Sequence, residues 1–178
     1  MDASTYSAAE TLRDGRAVTF RAIRPSDKQA MLDAFHGLDA QTIYLRLFTA
    51  HGEPGEQTLR EWTEIDFDKL VRLVVCLPRP DGSEQIIGGA SFAMLEPGNP
   101  AAGAEVSFTI EEDFQGQGLG GKLLAHLARI ARARGIRHFV AEVLPENRPM
   151  LIVFERSGFA MTHRRGDGVI HVSMQLPD

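Results

Sequence analysis

Residues 104–135 read AEVSFTIEEDFQGQGLGGKLLAHLARIARARG, and three local patterns succeed one another within them. Val106, Phe108 and Ile110 alternate with Glu105, Ser107 and Thr109, which predicts a strand with one apolar and one polar side. A loop of small residues follows, with glycines at 116, 118, 120 and 121. Leu119, Leu123, Leu127 and Ile130 then recur at helical spacing, and Gly135 supplies a C-terminal stop. A strand, a glycine loop and a long helix in that order put unsatisfied N–H groups of a helix start beside a backbone without Cβ atoms. Such a start carries about half a positive charge and binds phosphate through backbone donors. Close helix–sheet packing is the other use such glycines have.

Outward from this segment, Asp14-Gly15 predicts a tight turn ahead of a strand over Ala17–Arg24. Pro25-Ser26-Asp27 starts a helix carrying Met31, Phe35 and Leu38, and a second helix is expected over Gln41–Phe48. His51 to Lys69 reads as a mobile loop and then a short acidic helix. VRLVVCL at 71–77 predicts a buried strand, with Gln85–Leu95 as its antiparallel partner. Beyond the central helix come a strand over Arg137–Leu144, a helix over Asn147–Ser157, and a hairpin of Phe159–Arg164 with Val169–Gln175. The class is α+β with one strand–helix–strand crossover.

A chain of 178 residues predicts one domain spanning 1–178. With 43% hydrophobic and 24% charged residues it is neither disordered nor membrane-spanning in composition. The single cysteine, Cys76, makes no internal disulfide, and the N-terminus lacks the basic-then-apolar pattern of a signal peptide, so a cytoplasmic protein is expected. The net charge of −5 hides an asymmetry. Between Gln115 and Arg165 nine basic residues face three acidic ones, whereas 51–69 holds six acidic against two basic. A basic third on an acidic protein fits a compact polyanion better than an extended nucleic-acid track, with solvated helix faces that carry Arg as the other reading; the acidic stretch fits a cationic amine or an ordinary solvated helix. The histidines show no metal-ligand spacing, so no metal is expected.

Two motifs overlay the glycine loop. Gly116, Gly118 and Gly121 match G-x-G-x-x-G, a dinucleotide fingerprint, but five residues separate the strand from the first glycine and too little chain follows for two nucleotide-binding halves. Gln115, Gly118 and Gly120 instead resemble the Arg/Gln-x-x-Gly-x-Gly/Ala acetyl-CoA loop of the GNAT superfamily of N-acetyltransferases. Asn147-x-x-Met150 with Ser157-Gly158-Phe159 resembles the later helix and strand entry of that fold. VTFRAIRPSD, IYLRLF, TEIDFDKLVRLVV and VLPENRPM are similar to the GNAT domain of bacterial protein lysine acetyltransferases, the group that modifies acyl-CoA synthetases.

The resemblance implies a mixed, mostly antiparallel sheet of six to seven strands with four to five helices, splayed between the family's fourth and fifth strands. It implies acetyl-CoA as cosubstrate, its pantetheine arm along Phe108, Thr109 and Ile110, and its pyrophosphate on Gln115, Gly116, Gln117, Gly118, Leu119, Gly120, Gly121 and Lys122. Glu105 falls where those enzymes place a general base, with Glu142 next in order and Glu111 third. Asn147 reads either as a contact to the pantetheine or departing thiolate or as a helix N-cap. Seven residues on, where many members have a thiolate-protonating tyrosine, stands Phe154. The acceptor implied is a primary amine, foremost a protein lysine; a small-molecule amine acetyltransferase and a non-catalytic acyl-CoA sensor are the alternatives.

Overall fold

The computed structural model describes residues 1–38 and 53–178, so the helix expected over Gln41–Phe48 lies outside the described residues, as does Tyr44. One sheet holds strands β1 (Ser7–Thr11), β2 (Ala17–Ala22), β3 (Leu70–Pro78), β4 (Glu84–Met94), β5 (Ala104–Ile110), β6 (His138–Val143), β7 (Ala160–Gly166) and β8 (Val169–Gln175). The described α-helices are α1 (Lys28–His36), α2 (Glu56–Thr63), α3 (Leu119–Ala133) and α4 (Arg148–Glu155). Strand order is β1-β2-β3-β4-β5-β6-β8-β7. The eight strands exceed the expected six to seven because the residues before the Asp14-Gly15 turn pair along the whole of β1 with β2.

The near-continuous apolar run of β3 is explained by cover on both faces. Val71, Leu73 and Val75 join the core beneath α3, with Phe92, Phe139, Leu123 and Leu127. Val74 and Cys76 point the other way, towards Met31 and Ala34 of α1. In β5 the same alternation puts Ala104 and Val106 under α3 and leaves the odd-numbered side chains on the α1 face.

One junction differs from the rest. All neighbouring strands are antiparallel except β5 and β6, which run parallel and pair only at Ala104↔Phe139 and Glu105↔Val140. β4 meanwhile follows β5 over its full length, from Ala104 to Ile110. β5 therefore stays with β4 and leaves β6 beyond Glu105, which opens the sheet at the residues the sequence singles out.

β1 is clamped to α3 across the chain. Glu10 pairs with Lys122 at 2.8 Å and with His126 Nε2 at 2.9 Å, and the Tyr6 hydroxyl meets His126 Nδ1 at 2.5 Å. On the other face Arg21 makes two 2.9 Å hydrogen bonds to Asp27, holding the start of α1 against β2. No helix among the described residues is long and apolar enough to cross a membrane.

Candidate active site

The loop after β5 is built to expose a helix start. Phe114 is buried and anchors it, with the Arg16 guanidinium 4.9 Å above its ring. Gly116 and Gly118 both have φ of +82°, a left-handed conformation that glycine adopts without a Cβ clash. Arg13 Nη1 donates to the Gly116 carbonyl at 2.9 Å, and Gln115 Nε2 donates to the Ile110 carbonyl at 3.3 Å. Gly118 is the N-cap of α3 and contributes no side-chain hydrogen bond to it. The first-turn N–H groups of α3 are thus left for a ligand, in the geometry that suits an anion.

Those groups border a groove of about 730 Å³ whose far wall is α4. Gly120 permits that wall: a Cβ there would lie 2.9 Å from Val153 Cγ2. Phe108, Thr109, Ile110, Gln115, Gly116, Gly118, Leu119, Gly120, Gly121 and Asn147 all line the groove. Gln117 and Lys122 do not. Gln117 accepts from the Asp14 backbone at 3.3 Å, and Lys122 is taken by Glu10. Arg13 and Arg156, at the rim, are cations that the sequence reading did not assign. Arg13 sits in a turn 103 residues from its partner Gly116, and no local pattern announces such a contact. The uncapped helix start, the left-handed glycines and the two rim arginines fit a pyrophosphate.

The groove continues into a slot of about 110 Å³ where β5 and β6 diverge, lined by Glu105, Ser107, Phe108, Glu142, Asn147 and Phe154 among others. Glu105 is exposed and makes no ion pair with a described residue. Glu142 lies on the same face and faces His171 Nδ1 at 3.5 Å. Asn147 caps α4, its Oδ1 accepting from Met150 N at 3.4 Å, and it also lines both groove and slot. Phe154 is buried edge-on to Phe108, ring centroids 5.8 Å apart, so the slot wall there is hydrocarbon.

On the α1 face a third pocket, of about 130 Å³, shares Ser107 with the slot. Met31, Phe35, Leu38 and Trp62 form its apolar side, and Ser107, Thr109 and Glu111 its polar floor. Burial, followed by the charge of Asp113, pushes the Glu111 carboxyl above its ordinary value. Cys76 is buried in the sheet and its thiol is pushed up to about 12 by that burial, so it is no nucleophile. Among the described residues no group of three or more His, Cys, Asp or Glu is placed to hold a metal.

Residues 38–159 match the family model described as the acetyltransferase (GNAT) family. The chain belongs to the GNAT acetyltransferases. The GNAT domain of S. lividans PAT superposes with a TM-score of 0.84 at 30% identity, covering 96% of this chain and 97% of that one. Acetyltransferase Pat of Mycolicibacterium smegmatis is 29% identical over 168 residues, 93% of this chain and 48% of that protein. This GNAT chain therefore spans about half the length of that relative. Streptothricin acetyltransferase of Streptomyces lavendulae is 28% identical over 197 residues, 94% of this chain and the whole of that protein. The eight-stranded open sheet and its parallel, splayed central junction are the GNAT architecture, and the dinucleotide alternative falls with them.

Proposed function

We propose that residues 1–178 act as one acetyltransferase unit that moves an acetyl group from acetyl-CoA directly to a primary amine, foremost the side chain of a protein lysine. One observation carries this reading: the divergence of β5 from β6 opens a slot with Glu105 on one bank and Asn147 on the other, and the slot runs into the groove at the uncapped start of α3.

Acetyl-CoA, when bound, supplies the activated thioester. Leu119, Gly120 and Gly121 would donate their N–H groups to its pyrophosphate, with Arg13 and Arg156 adding charge at the rim. The edge of β5 that β6 leaves unpaired beyond Glu105 offers backbone donors and acceptors along Phe108 to Ile110 to an extended pantetheine. A lysine amine is overwhelmingly protonated at neutral pH, so it first gives one proton to Glu105, directly or through one water; the neutral nitrogen then bonds to the acyl carbon and loses its second proton to water as the tetrahedral centre collapses. The carbon–sulfur bond breaks and the sulfur leaves with the electron pair. Phe154 has no hydroxyl to protonate it, so the Asn147 amide donates a hydrogen bond to the sulfur and water supplies the proton.

The acidic balance of residues 51–69, six carboxylates against two basic residues, supports a cationic acceptor, with Glu56 and Glu64 partly neutralised by Arg60 and Lys28. The likeness to the GNAT domain of PAT and to Acetyltransferase Pat supports a protein lysine. The likeness to streptothricin acetyltransferase supports a small-molecule amine as the second reading. The test is CoA release with acetyl-CoA and lysine peptides against free amines. Glu105→Gln is expected to lower kcat about 10²-fold or more with the KM for acetyl-CoA unchanged. Binding of acetyl-CoA without turnover of any amine would instead mark a sensor.

A further inference from the structure

The α1-face pocket has two chemically opposite ends. Its end at the slot is where Arg72, Ser91 and Ser107 lie in register across β3, β4 and β5. Arg72 Nη1 donates to the Trp62 carbonyl at 2.6 Å, which holds a guanidinium on this side of the pocket.

Glu111 marks the opposite end. It stands four positions after Ser107, one past the end of β5, about 13 Å away at roughly 3.3 Å per residue, and both side chains line the same pocket. A Cβ on Gly37 would lie 2.8 Å from Glu111 Oε1, so the carboxylate is tucked beneath the C-terminal end of α1, whose carbonyls carry partial negative charge. Glu111 accepts a 3.4 Å hydrogen bond from Gln85 Nε2 and forms no ion pair with a described residue. The carboxylate, the helix end and Asp113 make this end negative, with the charge of Arg79 opposing them less strongly, and the stretch between the ends is walled by Met31, Phe35 and Trp62. Methylene groups suit those walls and a cation suits Glu111.

We propose that the pocket reads a second cationic group on the acceptor, an alkylammonium or guanidinium held at Glu111 about 13 Å from the amine that is acetylated at the slot. The inference rests on the acetyl-transfer reading above and adds Glu111 as the residue that selects the acceptor. Two sources present this chemistry: a linear aliphatic polyamine, and a second basic side chain beside the acceptor lysine.

The experiment compares three acceptors on the whole chain, unaltered and with Glu111→Gln. They are spermidine, a lysine peptide with and without a neighbouring basic residue, and the monocation n-hexylamine. Glu111→Gln removes a half-buried carboxylate whose charge its setting disfavours, so the variant is expected to melt no lower than the unaltered protein. Dicationic acceptors are expected to lose about tenfold in kcat/KM through KM, while n-hexylamine is unaffected. Whichever of spermidine or the basic peptide shows the loss identifies the source. Equal losses for all three acceptors, or none, would overturn the proposal. Turnover of n-hexylamine by the unaltered protein, and its fall with Glu105→Gln, report on acetyl transfer separately. Should no amine turn over, calorimetric titration of spermidine into the CoA-loaded protein decides: equal affinity with and without Glu111→Gln refutes the second-cation site.

Discussion

Replacing Gly118 by alanine tests the phosphate groove at the residue that shapes it. Gly118 has φ of +82° and ψ of 11° as the N-cap of α3. Holding an L-residue there costs roughly 1–2 kcal/mol, and the stiffer unfolded chain returns about 0.4–1 kcal/mol, so the net loss is about 1 kcal/mol. For a chain of this size that corresponds to a fall of about 2–4 °C in Tm. The added methyl itself meets only Arg13 Nε, at 3.5 Å, so crowding contributes little and the cost is in the backbone. Relief of the strain rotates the loop and turns the N–H groups of Leu119 to Gly121 away from the groove. Each hydrogen bond lost to a charged phosphate is worth about 1.5–3 kcal/mol, and one such loss weakens acetyl-CoA binding about 10-fold to 100-fold. Gly121→Ala is the control: no atom lies within 4 Å of its Cβ and its φ is not left-handed, so it is expected to raise Tm through helix propensity while keeping affinity. Thermal melts and calorimetric titration with acetyl-CoA read both quantities. A Gly118→Ala protein that binds acetyl-CoA as tightly as the unaltered one would refute the assignment of phosphate to the start of α3.

Glu10→Gln probes the clamp between β1 and α3. Hydrogen bonds from Lys122 and then His126, opposed by partial burial, hold the Glu10 carboxyl below its ordinary value. A depressed carboxylate stabilises the fold above its unfolded pKa, and that contribution is lost as pH falls through the lowered folded value. The unaltered protein is expected to melt above Glu10→Gln at neutral pH, with the difference shrinking as the pH falls below the ordinary carboxylate range; a difference that persists in strong acid would contradict the linkage. Cys76, buried and with its thiol pushed up to about 12, is expected to resist maleimide at pH 8 until the protein is unfolded. Stoichiometric labelling of the folded protein would show that β3 opens.

The segment 104–135 was legible because its information is local. Alternation over seven residues defines β5, apolar spacing defines α3, and glycines at 116 and 118 fall where the backbone needs positive φ. Contacts that close the site were not legible, because they join residues more than a hundred positions apart. Lys122 shows the consequence: beside a glycine loop it reads as a phosphate ligand, and only the folded chain brings Glu10 to within 2.8 Å of it. Arg13 shows the converse, a turn residue by sequence that buttresses Gly116 and borders the groove in three dimensions. Asn147 caps α4 through Oδ1, as one of its two readings has it, and the same residue lines the slot.

Glu105 in β5 and Glu111, one residue past its end, fall on the same side by alternation, which treats them alike. What separates them is cover: β6 leaves β5 just beyond Glu105, which stays exposed at the mouth of the slot, whereas α1 closes over Glu111 through the absent side chain of Gly37. An exposed carboxylate beside a slot exchanges its proton with solvent after each turnover, as a base must. A half-buried one that forms no ion pair with a described residue gains more from binding a charge that stays put. The proposed division of labour between proton transfer at Glu105 and acceptor selection at Glu111 thus follows from where one neighbouring strand ends its pairing and where one helix stops.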